Sequence, residues 1–199
     1  MTLYLTGDPA ADGLLERDPF ALLIGMVLDQ QVPLERAFGA PAALHERLGG
    51  RLDAHQLSAM APEELAAAFS AKPALHRFPA AMAERVQRLA QVILQDYGGD
   101  AAAVYETAPS GEELLARARA LPGFGQQKAQ IFVAFCGKRL GVRPAGWEVA
   151  AGAFATPGSY ASIADIDSPE AVAKVRAHKR ALKTAARPEP AGTRARRRP

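Results

Sequence analysis

A single cysteine, Cys136, is all the thiol chemistry that this chain of 199 residues carries. One cysteine forms no intramolecular disulfide and builds no zinc or iron–sulfur site on its own. It also suits a reducing compartment, so the cytoplasm is the expected location. Aromatic residues are scarce, at 7 %, and only Leu3-Tyr4-Leu5 hints at the alternation of a strand. Long apolar runs are missing as well. The longest, Phe20 to Leu28, falls well short of the ~20 residues that cross a bilayer. No early segment combines a basic start, an apolar run and a cleavage site, so neither a membrane span nor a secretion signal is expected. What is present is an ordinary globular composition, 49 % hydrophobic and 23 % charged, rich in alanine, the strongest helix former. The expected class is all-α, in one domain or one two-lobed domain.

The net charge of +3 hides an asymmetry. Residues 1–167 hold 14 Lys/Arg against 19 Asp/Glu, a net of −5, whereas residues 168–199 hold 10 against 2, a net of +8. A basic C-terminal segment attracts polyanions, nucleic acid first among them. The alternative is a solvated helix face followed by a disordered end. The Pro/Arg-rich stretch 187–199 is expected to be a basic disordered tail after a folded part spanning 1–186.

Helix signals punctuate the chain. Asp8-Pro9 and Asp18-Pro19 each pair an N-cap with proline at the first helical position. The second opens Phe20 to Gln31, apolar on every side, as befits a helix buried at the centre. Pro33 and Pro41 each start a further short helix, the latter ending at Gly49-Gly50. Pro62 to Phe69 is another. Pro79 to Tyr97 is clearly amphipathic, with Met82, Val86, Leu89, Ile93 and Tyr97 on one stripe. Ser110 and Glu113 form a capping box that opens a helix to Ala120. Helices are also expected over Gln126–Leu140 and from Ser168-Pro169 to about Ala186.

The chemistry concentrates in Leu121-Pro122-Gly123-Phe124-Gly125, wedged between two of these helices (the hairpin as a whole covers about 112–140). Two glycines one residue apart permit a tight turn with positive φ and let a ligand approach the backbone. Phe124 can plug the groove between the helices. The turn then presents amides at the start of the second helix, a natural phosphate site, with Lys128 one turn in. A plain helix–helix turn is the alternative. Leu-Pro-Gly-x-Gly flanked by helices, followed by Ala129 and the apolar stretch Ile131 to Phe135, resembles the helix-hairpin-helix/Gly-Pro-Asp (HhH-GPD) superfamily of DNA glycosylases. Leu22 to Gln31 is similar to that family's early buried helix, whose terminal turn wedges into the duplex where a base has been expelled.

The resemblance covers about residues 18–155. It implies an all-α, two-lobed fold, a double-stranded, damaged or mispaired DNA partner and a nucleoid-associated cytoplasmic location. It assigns the wedge to Gln31 with Gln30 beside it, and the phosphate grip to Gly123, Phe124, Gly125 and Lys128. An enzyme acting on a base inside a duplex must flip it out and fill the gap, which a glutamine amide can do. The resemblance also implies a monovalent cation held by turn carbonyls; no other cofactor is expected, no iron–sulfur cluster and no metal-ligating side chains. A monomer is expected.

Two positions depart from the family. Family members that nick the strand place a lysine where this chain has Gln127, so no lyase activity is expected. The family aspartate, roughly 20 residues further on, is also missing. Glu148 is the only carboxylate near that place and is the candidate for stabilising the sugar cation or activating water, with Asp165 and Asp167 as backups. Glu148 also reads as a first-turn residue serving the helix dipole. Trp147 reads as a core anchor or as a stacking surface for a flipped base. The four histidines have no ligand spacing and receive no role. Three functions follow: a monofunctional DNA N-glycosylase, a non-catalytic DNA-binding relative, or a helical protein-interaction module.

Overall fold

The computed structural model describes residues 2–185, so the tail expected over 187–199 lies outside the described residues. Eleven α-helices occur among them: α1 Pro9–Arg17, α2 Pro19–Leu28, α3 Leu34–Arg47, α4 Ala54–Ala59, α5 Pro62–Ser70, α6 Pro79–Tyr97, α7 Ala103–Glu106, α8 Gly111–Ala120, α9 Gln126–Phe135, α10 Trp147–Ala151 and α11 Pro169–Ala185. A π-turn, Cys136–Leu140, extends α9. No strand occurs among the described residues, and no helix is long and apolar enough to cross a membrane. The protein is all-α.

α2 sits where its composition demands. Every residue from Phe20 to Leu28 is buried, and Asp18 caps its start by accepting from the amides of Phe20 and Ala21 at 2.9 and 3.1 Å. α1, α3 and α6 pack around α2, and α4 and α5 lie on α6. α8, α9 and α10 pack against one another as a second group, and one continuous apolar core runs through both groups. α11 crosses near the short 3-10 turn Ile163–Asp165.

Three expectations need correction. Leu3 and Leu5 are buried but form no strand. Carboxylates of α1 replace a ladder: Asp12 Oδ1 accepts from the Leu5 and Thr6 amides at 3.0 Å each, and Glu16 Oε1 from the Leu3 amide at 2.6 Å. The two helices expected at Pro33 and Pro41 are one, α3, with Pro41 inside it. An internal proline costs about 3 kcal/mol. Burial of Ala37, Phe38, Ala40 and Leu44 on either side offsets that. Phe38 lies against Gly25 of α2, where even a Cβ would come within 2.7 Å of its ring. Finally, α4 was missed, although Asp53 accepts from the Gln56 amide at 2.8 Å; an Asp with Gln three residues on is a helix-start pattern. α6 and α8 run as expected, and Ser110 Oγ accepts from the Glu113 amide at 3.1 Å.

Candidate nucleic-acid interface

The turn between α8 and α9 has a buried half and an open half. Leu121 and Phe124 are buried, and the Phe124 ring meets Phe132 edge-on, with centroids 5.9 Å apart. The Phe124 amide donates to Leu121 O at 3.1 Å, closing the turn. Gly123, Gly125, Gln126 and Gln127 are exposed. Gly125 is the N-cap of α9 and supplies no side-chain cap, so the first amides of α9 face outward without a side-chain acceptor. Of the two glycines only Gly123 has positive φ, at 82°. Gly125 has φ −81° and ψ 177°, which any residue adopts. A Cβ there would meet nothing within 4 Å. Backbone conformation therefore does not require glycine at 125, and the surface beside it is open. Phe124 does not contribute to this surface as expected: its ring belongs to the core and its amide is taken up within the turn by Leu121 O.

Lys128 does not face solvent as expected. Its Nζ donates to Met26 O at 2.6 Å, reaches Val27 O at 3.5 Å and lies 5.7 Å from the Phe124 ring centre. Burial pulls its pKa below the usual lysine value, against the opposing field of Asp29. The cause is α2. An all-apolar helix ends in carbonyls that its own side chains cannot satisfy, and a cation at a helix C-terminus answers both the lone pairs and the dipole.

Gln30 is likewise turned inward. Its Nε2 donates to Val27 O at 2.6 Å and its Oε1 accepts from Arg85 Nη1 at 2.8 Å. Its main-chain oxygen accepts from His76, 2.9 Å from Nε2. His76 Nδ1 accepts the Phe78 amide at 3.0 Å, so the ring proton sits on Nε2. Burial holds the His76 pKa below its ordinary value, and Arg36 and Arg85 add to the effect. Gln30 is thus a brace. Gln31 is the exposed member of the pair, with φ 58°. A left-handed backbone at a residue with a Cβ costs on the order of 1 kcal/mol. Here the braced Gln30 imposes it, and it turns Gln31 outward.

Arg85 joins the two features. Its Cδ lies where a Cβ on Gly123 would come within 2.8 Å, and its guanidinium holds Gln30. It stands between the hairpin and the Gln31 turn. Nothing in the sequence marks Arg85 for this place: it lies off the apolar stripe of Pro79 to Tyr97, where a solvated arginine is ordinary.

Glu148 is not brought to this surface. It is an exposed first-turn residue of α10 and lines a cavity of about 460 Å³ with Lys138, Arg139, Arg143, Trp147 and Tyr160. The Trp147 indole is packed on Gly137, where a Cβ would fall 2.3 Å from the ring; Trp147 is a core anchor. Gly137 is twelve residues beyond Gly125, roughly 18 Å along a helix. Asp165 is committed to structure: it accepts from Lys138 Nζ at 2.7 Å, from Ser159 Oγ at 3.1 Å and from the Ala161 amide at 3.0 Å. Asp167 lies at the same cavity. Cys136 is buried, which pushes its thiol pKa up. Among the described residues no group of His, Cys, Asp and Glu could hold a metal ion.

A family model for the HhH-GPD superfamily base excision DNA repair protein matches residues 24–189. No curated protein and no solved structure matches the chain significantly.

Proposed function

The chain belongs to the HhH-GPD superfamily of base excision DNA repair proteins, and from that premise we propose that it is a monofunctional DNA N-glycosylase. It grips one strand of a duplex through the amides that open α9, inserts Gln31 where a base is displaced, and hydrolyses the N-glycosidic bond of that base. The observation that carries this reading is the pairing of an open, uncapped helix start at Gly125 with the outward Gln31, with Arg85 lying against Gly123 on one side and holding Gln30 on the other. Backbone amides at a helix N-terminus bind phosphate without reading sequence. That suits a protein that must inspect many sites. The exposed Lys174, Lys179 and Arg180 of α11 add salt-dependent attraction to a body that is otherwise acidic.

A lyase step is not part of the reading. Gln127 has no amine, and the Lys128 ammonium is committed to α2 carbonyls. A monovalent cation at the hairpin would be held by main-chain carbonyls of the turn. Leu121 O retains one lone pair beyond its bond from the Phe124 amide, and the ion would add positive charge beside the phosphate. A second reading, a DNA-binding member that performs no hydrolysis, is favoured by one observation: Glu148 stands at the far end of α9.

Duplexes carrying uracil, alkylated or oxidised bases, treated with alkali after incubation, separate the readings. Strand breaks support the glycosylase. Binding that weakens steeply with salt, without breaks, supports the non-catalytic reading. No DNA binding by the full-length chain would leave a helical interaction module.

A further inference from the structure

A smaller cavity, of about 310 Å³, opens directly beside the Gln31 turn. The start of α3 forms one wall and α11 the other. Leu34, Val172 and Val175 are apolar lining. Glu35 and Arg176 form an ion pair at its edge, and Lys179 reaches the rim. Its volume is at the lower end of ligand pockets, ~300–1,000 Å³, which suits one planar ring system. The apolar part of the lining suits the faces of a heterocycle out of the stack, and the charged part, Asp29, Glu35, Arg176 and Lys179, suits its polar edges and the backbone beside it.

One carboxylate lining this cavity is uncommitted. Asp29 caps the end of α2 through its main-chain amide, which donates to Gly25 O at 3.0 Å, but its side chain makes no hydrogen bond or ion pair among the described residues. It stands two residues from Gln31, and its charge is felt by the Lys128 ammonium. Asp29 is therefore close to both the wedge and the start of α9, whereas Glu148 follows Trp147, which packs on Gly137 beyond the other end of that helix. Glu35 is neutralised by Arg176.

We propose that this cavity receives the base displaced by Gln31 and that Asp29 is the catalytic carboxylate, facing the sugar of the extruded nucleotide. The proposal rests on the duplex-gripping reading above and names its substrate site. In the step it performs, the C1′–N bond breaks and its electron pair leaves on the base nitrogen. The oxygen of a water molecule bonds to C1′. The proton lost by that water passes to the Asp29 carboxylate and from there to the departing base. The negative carboxylate also stabilises the positive charge that builds on the sugar. Lys179 at the rim meets the flanking phosphate.

Two measurements test this on the full-length chain. The first uses a duplex with 2-aminopurine at a mismatch, whose fluorescence rises when the base unstacks. Wild type raises the signal. Val172→Trp, which fills the cavity from a half-buried position, binds the duplex with wild-type anisotropy and melts at the wild-type temperature, yet gives no rise. The second is single-turnover base release from the lesion duplexes. Asp29→Asn slows release about 100-fold or more while keeping the fluorescence rise, and Glu148→Gln releases at the wild-type rate.

A full fluorescence rise with Val172→Trp overturns the cavity as receptacle. Wild-type release by Asp29→Asn, loss of release in Glu148→Gln, or no release by wild type from any duplex overturns Asp29 as the catalytic group. Absence of duplex binding by wild type is a separate result, and it overturns the grip itself along with everything resting on it.

Discussion

The two ends of α9 are built on opposite plans. At its N-terminus the outward-facing groups are main-chain amides, while the polar side chains around them, Lys128, Gln30, His76 and Arg85, bond inward. At its C-terminus the cations gather: Lys138 pairs with Asp165, Arg139 donates to Thr2 O at 3.0 Å, and Arg143 donates to Gly137 O at 2.8 Å. Counting positive charge would place the nucleic acid at the C-terminal end. The grip proposed above lies at the other, for a reason of helix physics. Cations at the end of a helix answer its free carbonyls and negative dipole end, and here each has a partner inside the protein. The helix start has nothing of its own to answer its amides, so it is left for an external anion.

The comparison is tested most severely at Gly137. A Cβ there collides with the Trp147 ring, so Gly137→Val should destabilise by about 2–3 kcal/mol through overpacking. The melting temperature should fall by several degrees with DNA affinity unchanged below the transition. Loss of DNA binding by the folded variant would mean that the C-terminal end also touches the duplex.

Next comes Lys128→Met, which leaves the Met26 carbonyl without its charged donor. It should cost about 1–3 kcal/mol, read by urea denaturation, with no change in how DNA affinity depends on salt. A stable variant whose slope of log affinity against log salt flattens by ~0.9 would instead put Lys128 on a phosphate.

Gly125→Val places methyls where the proposed grip puts a strand, at a backbone geometry valine accepts. Duplex affinity should drop about tenfold or more, since each 1.4 kcal/mol is a factor of ten, and the melting curve should not move. Wild-type binding by the folded variant would contradict the grip.

The smallest effect is a pH dependence of stability. The folded-state pKa of His76 is held below its ordinary value of 6.5, so the unfolded chain takes up the proton first as pH falls. The stability His76 contributes is complete above the unfolded value and is lost as the pH drops through the folded one. Protonating Nδ1 also breaks its bond from the Phe78 amide. Urea midpoints should therefore fall more between pH 7.5 and 5 in wild type than in His76→Gln; parallel curves would assign the acid sensitivity elsewhere.

Much of the fold was legible in the order of residues. The uniform hydrophobicity of Phe20 to Leu28 predicted a central helix, and α2 is buried along that whole stretch. Asp18-Pro19, Pro79 to Tyr97 and Ser110 to Glu113 marked helix boundaries through local rules, capping and periodicity, which act within a few residues. The glycine turn was legible for the same reason, and so was the family. The continuous α3 was not, because Pro41 is locally unfavourable and is tolerated only where Phe38 packs on Gly25 from another helix.

The roles of the polar side chains belonged to the tertiary structure alone. Gln30 and Gln31 are neighbours of one type, yet one braces and the other projects, since His76 and Arg85 arrive from far along the chain to hold only the first. Lys128 and Glu148 carry charge that sequence can count but not aim. Direction is set by which buried carbonyls need a donor and by how the chain returns after α9. Local spacing determines that there is a hairpin and a buried helix beside it. Which atoms remain free to meet a partner is decided only when long-range contacts have satisfied the others.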